Sequence, residues 1–410
     1  MKNYTDIIII GAGLSGIGSA CHLERKNPEK SYIILEAREE LGGTWSLFKY
    51  PGIRSDSDMY TFGFSFKTWD NPKSFADAPN ILKYLNEAAN EYNIKDKIRY
   101  NTKVVKANFD THKKMWSIST KNKNNSEAIF YSRFLFSCTG YYNYDEGYTP
   151  KYSGINNFEG TIIHPQNWPE DLNYMDKKVV VIGSGATAVT IVPEMAKKTS
   201  KITMLQRSPT YVGAFPNNDK YAKFIKKSFP KIIAHKLIRF KNIFVQILFF
   251  QACKIWPIYM KKLLVNAAQR QLGDFPAKPH FEPNYNPWDQ RFCVAPDGDL
   301  FKVIRNGKAN VVTDKIDSLD KNGIKLSSGK KLDADIIISA TGLKLLAFGG
   351  SKISIDNKDY NPSDAVTYKG LMLSGLPNCI FFAGYTNASW TLKSDLTSEY
   401  ASRLFKLMDK

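Results

Sequence analysis

A short apolar run ending in GAGLSG, repeated later in the chain as one ending in GSGATA, constrains this sequence more than any other feature. The first run, Asp6–Ile10, leads into Gly11, Gly13, Ser15 and Gly16 and then into a helix expected through about Lys26. A second strand, Ser31–Leu35, ends at Glu36. This is the strand–turn–helix–strand opening of a dinucleotide-binding fold. The glycines permit a tight turn and close approach of backbone to a pyrophosphate, which sits at the helix N-terminus. Glu36 follows Gly16 by about twenty residues, where a carboxylate accepts ribose hydroxyls.

In the second copy, strand Val179–Ile182 runs into Gly183, Ser184, Gly185, Ala186, Thr187 and Ala188. The next strand, Lys201–Leu205, ends at Gln206, Arg207 and Ser208, with no acid. A carboxylate there would repel a 2′-phosphate. A guanidinium can grip one, and charge-assisted hydrogen bonds contribute about 1.5–3 kcal/mol each. Arg207 and Ser208 therefore point to NADPH rather than NADH. Two dinucleotide folds in one chain imply FAD in the first and a nicotinamide in the second. Strands expected at Phe134–Ser137, Asp335–Ser339 and Cys379–Ala383 fit returns to these units.

The expected fold is α/β, with two nested Rossmann-like dinucleotide-binding domains and a helical insertion. The FAD domain takes residues 1–155 and 346–410. A linker covers 156–175, the NADP domain 176–214 and 297–345, and the insertion 215–296.

Charge is uneven. The chain carries a formal net charge of +18. Between Phe215 and Leu272 there are twelve Lys or Arg and one acid, Asp219. The outer face of this segment could rest on anionic lipid, or it is simply a solvated basic surface; its aromatics Phe240, Phe244, Phe249 and Trp256 read as tunnel or core rather than as base-stacking groups. No nucleic-acid partner is expected. The five cysteines are widely spaced, without a CxxC pair, which excludes a zinc ribbon and a redox dithiol. No metal site is expected. Reduced thiols, and a first strand with no leader before it, suggest a cytoplasmic protein, peripheral at a membrane if the basic face binds lipid.

Between the two folds stand Phe158, Gly160, His164, Trp168 and Pro169, in the spacing FxGxxxHxxxWP. This resembles the fingerprint of Baeyer–Villiger monooxygenases, class B flavoprotein monooxygenases. The resemblance spans nearly the whole chain. It is nearest the ethionamide monooxygenase branch, through GTWSLFKYPGIRSDSDMY, QRSPTY, YNPWDQRFCVAPDGDLF and GYTNASWTLKSDL. It implies that Thr44, Trp45, Ser46, Leu47 and Asp56 lie at FAD, Ser15 on its pyrophosphate and Val104 on its adenine. Arg54, Ser55 and Asp56 would lie near NADP. His164 would hold the domains together rather than shuttle a proton. An essential arginine over the flavin corresponds to Arg291, which Asp56 would orient. There a guanidinium would hold an oxygen species that must stay anionic to attack a ketone. The other partners available to Arg291 are Asp289 and Asp297, and Asp56 could instead cap the following helix.

The implied activity is NADPH- and O2-dependent conversion of ketones to esters or lactones, with sulfides or thioamides as further substrates. The alternatives are an N- or S-oxygenating flavin monooxygenase and a flavin redox sensor that does not oxygenate. Members of the family generally continue past the final helix, whereas this sequence stops at Lys410. That leaves either a shortened chain or a more open site. The ketone and the oligomeric state are not legible.

Overall fold

The computed structural model describes residues 3–409. The first apolar run is strand β1 (Tyr4–Ile10), with Ile7–Ile10 all buried. A strand covered on both faces reads as an unbroken apolar run, as parallel sheets require. The chain turns through Gly11, at φ +100°, into helix α1 (Leu14–Lys26). It returns as β2 (Tyr32–Leu35), parallel to β1. Only glycine fits at position 16, where a Cβ would stand 1.9 Å from the Gly11 carbonyl oxygen. Helices α2 (Thr44–Leu47), α3 (Met59–Phe62) and α4 (Ala78–Glu91) follow. Strand β3 (Ile98–Arg99) extends the sheet beyond β2. Strands β4 (Lys103–Asp110), β5 (Met115–Lys121) and β6 (Glu127–Ser137) form an antiparallel meander. The far half of β6 runs parallel to β1, so the strand expected at 134–137 is the end of a longer one.

Strand β7 (Tyr142–Gly147) leaves this unit. The second sheet then begins with β8 (Thr161–Ile163), β9 (Lys178–Ile182), helix α5 (Ala186–Met195) and β10 (Lys201–Gln206). Strand β11 (Tyr211–Phe215) precedes α6 (Lys220–Ser228), α7 (Lys231–Ile255) and α8 (Pro257–Leu272). Pro230 and Pro257 bracket α7, and no proline or glycine interrupts it. Strand β12 (Phe292–Pro296) closes the insertion, parallel to β11 with Phe215 opposite Pro296. Helix α9 (Asp299–Arg305) and β13 (Ala309–Thr313) follow, then a small antiparallel sheet of β14 (Ile316–Asp320), β15 (Gly323–Leu326) and β16 (Lys331–Asp333), then β17 (Ile336–Ser339). The second sheet has the order β13-β10-β9-β17-β8 and is parallel throughout.

Strand β18 (Leu343–Leu345) pairs antiparallel with β7 and carries the chain back. Strands β19 (Lys352–Ile355) and β20 (Lys358–Asp359) extend the first sheet beyond β4. A hairpin of β21 (Thr367–Tyr368) and β22 (Met372–Leu373) precedes β23 (Cys379–Phe381), which joins β6. Helix α10 (Trp390–Met408) ends the described chain, its Phe405 packed on Phe134 and Phe136 of β6. The two units are nested as expected, each with apolar cores on both faces of its sheet.

Three expectations shift. Residues 156–175 are not a free linker, because Thr161–Ile163 is the edge strand of the second sheet, with Ile162 opposite Ile337. The 215–296 insertion is helical only over 220–272 and ends in a strand. Of the aromatics expected in a tunnel or core, Phe240, Phe244 and Trp256 are 70%, 51% and 60% exposed. Only Phe249 packs inward, on Phe292 at 5.6 Å between centroids. The reason lies in how α7 docks. Arg239 donates to the carbonyls of Tyr60 (2.9 Å) and Gly63 (2.8 Å) and to Asp395 (3.1 Å). Asn242 and Gln246 donate to Asp58 at 2.7 and 3.1 Å. Asp395 also meets His22 at 3.1 Å and accepts the Ser65 N–H. A buried charge must find partners, so the polar stripe of α7 faces inward and its aromatics turn outward.

Candidate active site

Two helix N-termini converge on one cleft of about 500 Å³ between the sheets. Helix α1 begins after Gly13 and α5 after Gly185, neither with a side-chain cap nor with an acid in its first turn. The leading N–H groups of a helix have no intrahelical partner and carry the positive end of its dipole. Gly13 lies against Gly43, where a Cβ on Gly13 would be 3.5 Å from the Gly43 Cα; a Cβ at Gly185 would meet nothing within 4 Å. Both turns therefore leave bare backbone donors where a pyrophosphate fits. Gly11, Gly16, Gly183 and Ala188 shape these turns from behind; a Cβ at Gly183 would stand 2.3 Å from the Ala340 carbonyl oxygen.

Glu36 stands at the end of β2 and is buried. Its two carboxylate oxygens accept the N–H groups of Ala12 (2.7 Å) and Arg38 (2.9 Å). Burial pushes its pKa up, and those amide bonds oppose the shift. At the end of β10, Arg207 and Ser208 are exposed, and Arg207 forms no ion pair among the described residues. Ser184 braces its own turn. Its hydroxyl lies 2.9 Å from that of Thr210 and donates to the Ser208 carbonyl, which holds the turn.

The cationic end of the cleft is Arg291. Its Nη2 donates to the Asp56 carboxylate at 2.5 Å, and the side chain is 55% exposed. The alternatives are taken elsewhere: Asp289 pairs with Lys254 at 2.7 Å, and Asp297 accepts the Asn217 N–H. The helix cap that Asp56 could have provided is Asp58, which accepts the N–H groups of Tyr60 and Thr61. Arg54 forms a two-point pair with Asp299. Behind Arg291, Trp288 holds a left-handed backbone at φ +68° and stacks on Phe292 at 5.5 Å. Phe249 and Phe250 of α7 meet Trp288 edge-on.

His164 is a joint. Its Nδ1 accepts the Gln166 N–H at 3.2 Å, and Nε2 stands 3.0 Å from the Gly342 carbonyl. An Nε2–H tautomer satisfies both. Burial keeps the ring's pKa below its ordinary value. The ring presses on Gly147, where a Cβ would be 2.0 Å from it. His164 thus clamps the β7–β18 crossing to the second sheet.

Gly13, Ser15, Thr44, Trp45, Arg54, Ser55, Asp56, His164, Gly185, Ala186, Thr187 and Arg291 all border the cleft. Ser46, Leu47 and Val104 do not. The Ser46 hydroxyl is buried and accepts from Arg38 at 2.6 Å, because it points back toward the Glu36 turn. Leu47 packs on the core of the second unit. Val104 is buried in the outer core of the first sheet with Ile10 and Leu35. Phe158 fills the core beneath the small sheet, and Trp168 packs on the other face of the second sheet. Gly160 lets the chain pass β17, where a Cβ would lie 2.4 Å from the Asp335 carbonyl oxygen. Pro169 lies outside the cleft.

Several lining residues were missed. The Trp390 indole donates to the Ser15 hydroxyl at 2.7 Å and stacks on Tyr141 at 5.2 Å. Tyr144 stands 3.4 Å from the Thr44 hydroxyl, and burial raises the pKa of both Tyr142 and Tyr144 above the ordinary tyrosine value. The available signal was the run Tyr-Tyr-Asn-Tyr directly after Gly140, and a tryptophan opening the last helix.

Comparison with known proteins gives the following. The family described as flavin-binding monooxygenase-like matches residues 5–348. FAD-containing monooxygenase EthA of Mycobacterium tuberculosis is 49% identical over 411 residues, covering 100% of this chain and 84% of that protein. The probable FAD-binding monooxygenase AlmA of Acinetobacter baylyi is 47% identical, covering 100% and 82%. Among solved structures, OTEMO in complex with FAD and NADP superposes with a TM-score of 0.79 at 22% identity, over 99% of this chain and 84% of that one.

Proposed function

The chain belongs to the flavin-binding monooxygenase-like family, and from that premise we propose that it is an NADPH- and O2-dependent FAD monooxygenase converting ketones to esters or lactones. Organic sulfides and thioamides form its second substrate class. The observation that carries this reading is the Arg291–Asp56 pair, set where both uncapped helix N-termini open into one cleft. FAD is assigned to the first fold, with its pyrophosphate at the α1 N-terminus and its ribose at Glu36. NADPH is assigned to the second, with its pyrophosphate at α5 and its 2′-phosphate at Arg207 and Ser208. The chemistry the two cofactors supply when bound is hydride transfer and activation of dioxygen.

The protein's own part is positional and electrostatic. Asp56 occupies one edge of the Arg291 guanidinium, and the other N–H groups have no partner among the described residues. A planar fork fixed on one side can stabilise developing negative charge on the other. Removing one such fixed donor typically costs about 2.7–4 kcal/mol of barrier. Trp45, Trp390 and Tyr141 supply apolar wall that limits water. The test is product analysis by mass spectrometry on a panel of ketones and sulfides with NADPH. Ester in step with NADPH consumed supports the proposal, and sulfoxide without any ester favours the S-oxygenating alternative instead. NADPH consumption that yields only hydrogen peroxide across the panel overturns it in favour of the redox-sensor reading.

A further inference from the structure

Helix α7 of the insertion departs from the usual pattern of a helix on a soluble surface. Such a helix turns its apolar stripe inward and its charges outward. Helix α7 turns Arg239, Asn242 and Gln246 inward, onto Asp395 and Asp58. Outward it presents Ile233, Leu237, Phe240, Phe244, Leu248 and Ile255, each between 40% and 70% exposed. More than half of the large apolar side chains exposed among the described residues fall between Phe215 and Leu263. A contiguous exposed apolar patch on this scale marks an interaction surface.

Its charge selects the partner. The segment from Phe215 to Leu272 carries twelve basic residues against one acid. Lys223, Lys227 and Lys236 are exposed and form no ion pair among the described residues. A second copy of this face would bring the same positive charge and be repelled. An anionic bilayer supplies both an apolar phase and the opposite charge. No single described helix is long and apolar enough to cross a membrane, and α7 and α8 are bent by 117° at Trp256. The pair is apolar and long enough to span only when taken together, and a bend this sharp does not make a straight span. Trp256 and Tyr259 are 60% and 66% exposed at the bend, the residue types that settle at headgroup depth. The lysine stems can lie along the apolar face while their ammonium groups reach phosphate.

We infer that the outward face of α6–α8 docks on a membrane surface rich in anionic lipid. Phe249 and Phe250, on another side of α7, pack against Trp288, three residues before Arg291. The docked face and the face that packs on Trp288 are therefore opposite sides of one helix. Resting on the proposed oxygenase activity, this would let lipophilic ketones and sulfides arrive from the bilayer. The docking itself is tested without turnover, so either reading can fail alone.

The test is co-sedimentation of the FAD-loaded protein with sucrose-loaded vesicles of phosphatidylcholine, with and without one quarter phosphatidylglycerol. Binding is expected to the anionic vesicles at low salt, and to fade as ionic strength rises. Each of Lys223→Glu, Lys227→Glu and Lys236→Glu should weaken it at least about fivefold. Phe240→Gln with Phe244→Gln should weaken it about tenfold or more, while FAD absorbance and melting temperature stay unchanged. As a readout that needs no folding-sensitive variant, brominated lipid should quench a fluorescence component that Trp256→Phe removes. Absence of sedimentation with anionic vesicles at low salt overturns the inference, as does binding indifferent to the phenylalanines. A lipid-free dimer by light scattering that Phe240→Gln and Phe244→Gln dissociate would also overturn it, because a second copy then covers the face.

Discussion

Arg239 of the insertion and Asp395 of the last helix meet at 3.1 Å, both more than nine-tenths buried. The contact ties a helix from the middle of the second unit to the last helix of the first. Removing one partner of a buried pair leaves the other charge uncompensated and costs about 3–5 kcal/mol. Arg239→Met should therefore lower the urea midpoint strongly and loosen α7. Asp395→Asn should cost less, because its amide can still accept from Ser65. Equal stability of Arg239→Met and the parent would show that the pair does not anchor the insertion.

Arg291 divides the proposed reaction into halves. Arg291→Ala should keep bound FAD and oxidise NADPH, yet lose about a hundred- to thousand-fold in product formation. The lost reducing equivalents should appear as hydrogen peroxide. Arg291→Lys should not restore product fully, because an ammonium lacks the planar fork. Asp56→Ala should show a milder form of the same defect. Product at near parental yield per NADPH from Arg291→Ala would make Arg291 structural.

The proposed contact of Arg207 with the 2′-phosphate can be tested by nucleotide preference. Arg207→Ala should raise KM for NADPH about tenfold or more and leave KM for NADH nearly unchanged. Steady-state kinetics with both nucleotides measure this; an equal rise for each would mean that the guanidinium does not meet the 2′-phosphate.

Acid should destabilise the protein through His235. This buried α7 ring packs near Tyr60, and desolvation, with the nearby Arg239 charge, lowers its pKa to about 4. The unfolded chain takes up that proton near pH 6.5. Between these values the unfolded state binds more protons, so stability falls as the pH drops from about 6.5 to about 4, by up to about 3 kcal/mol from this group. Above the window the group contributes no slope. His235→Leu should flatten the curve of urea midpoint against pH there. An unchanged slope would assign the acid sensitivity to other groups.

The glycine turns made both dinucleotide units legible, because tight strand-to-helix turns leave no room for another residue at positions such as 16 and 183. The Arg291–Asp56 pair was legible only by resemblance, since no local rule joins residues 235 positions apart. The Trp390–Ser15 contact was illegible for the same reason. Phe240, Phe244 and Trp256 failed differently. Helical periodicity tells which residues share a face, not which way that face points. Here the direction was decided by Asp395 and Asp58, which lie outside the segment.

The pairing of Phe215 with Pro296 places the departure and return of the insertion side by side. Such a segment can in principle be exchanged between homologues as a cassette, because its ends need not move when its length changes. The graft has a condition. A donor helix carrying an arginine at the position of Arg239 must find an acid at 395, and one lacking it leaves that buried acid with only His22 and the Ser65 N–H. Chimeras designed to alter substrate range should therefore carry residues 58 and 395 together with the cassette.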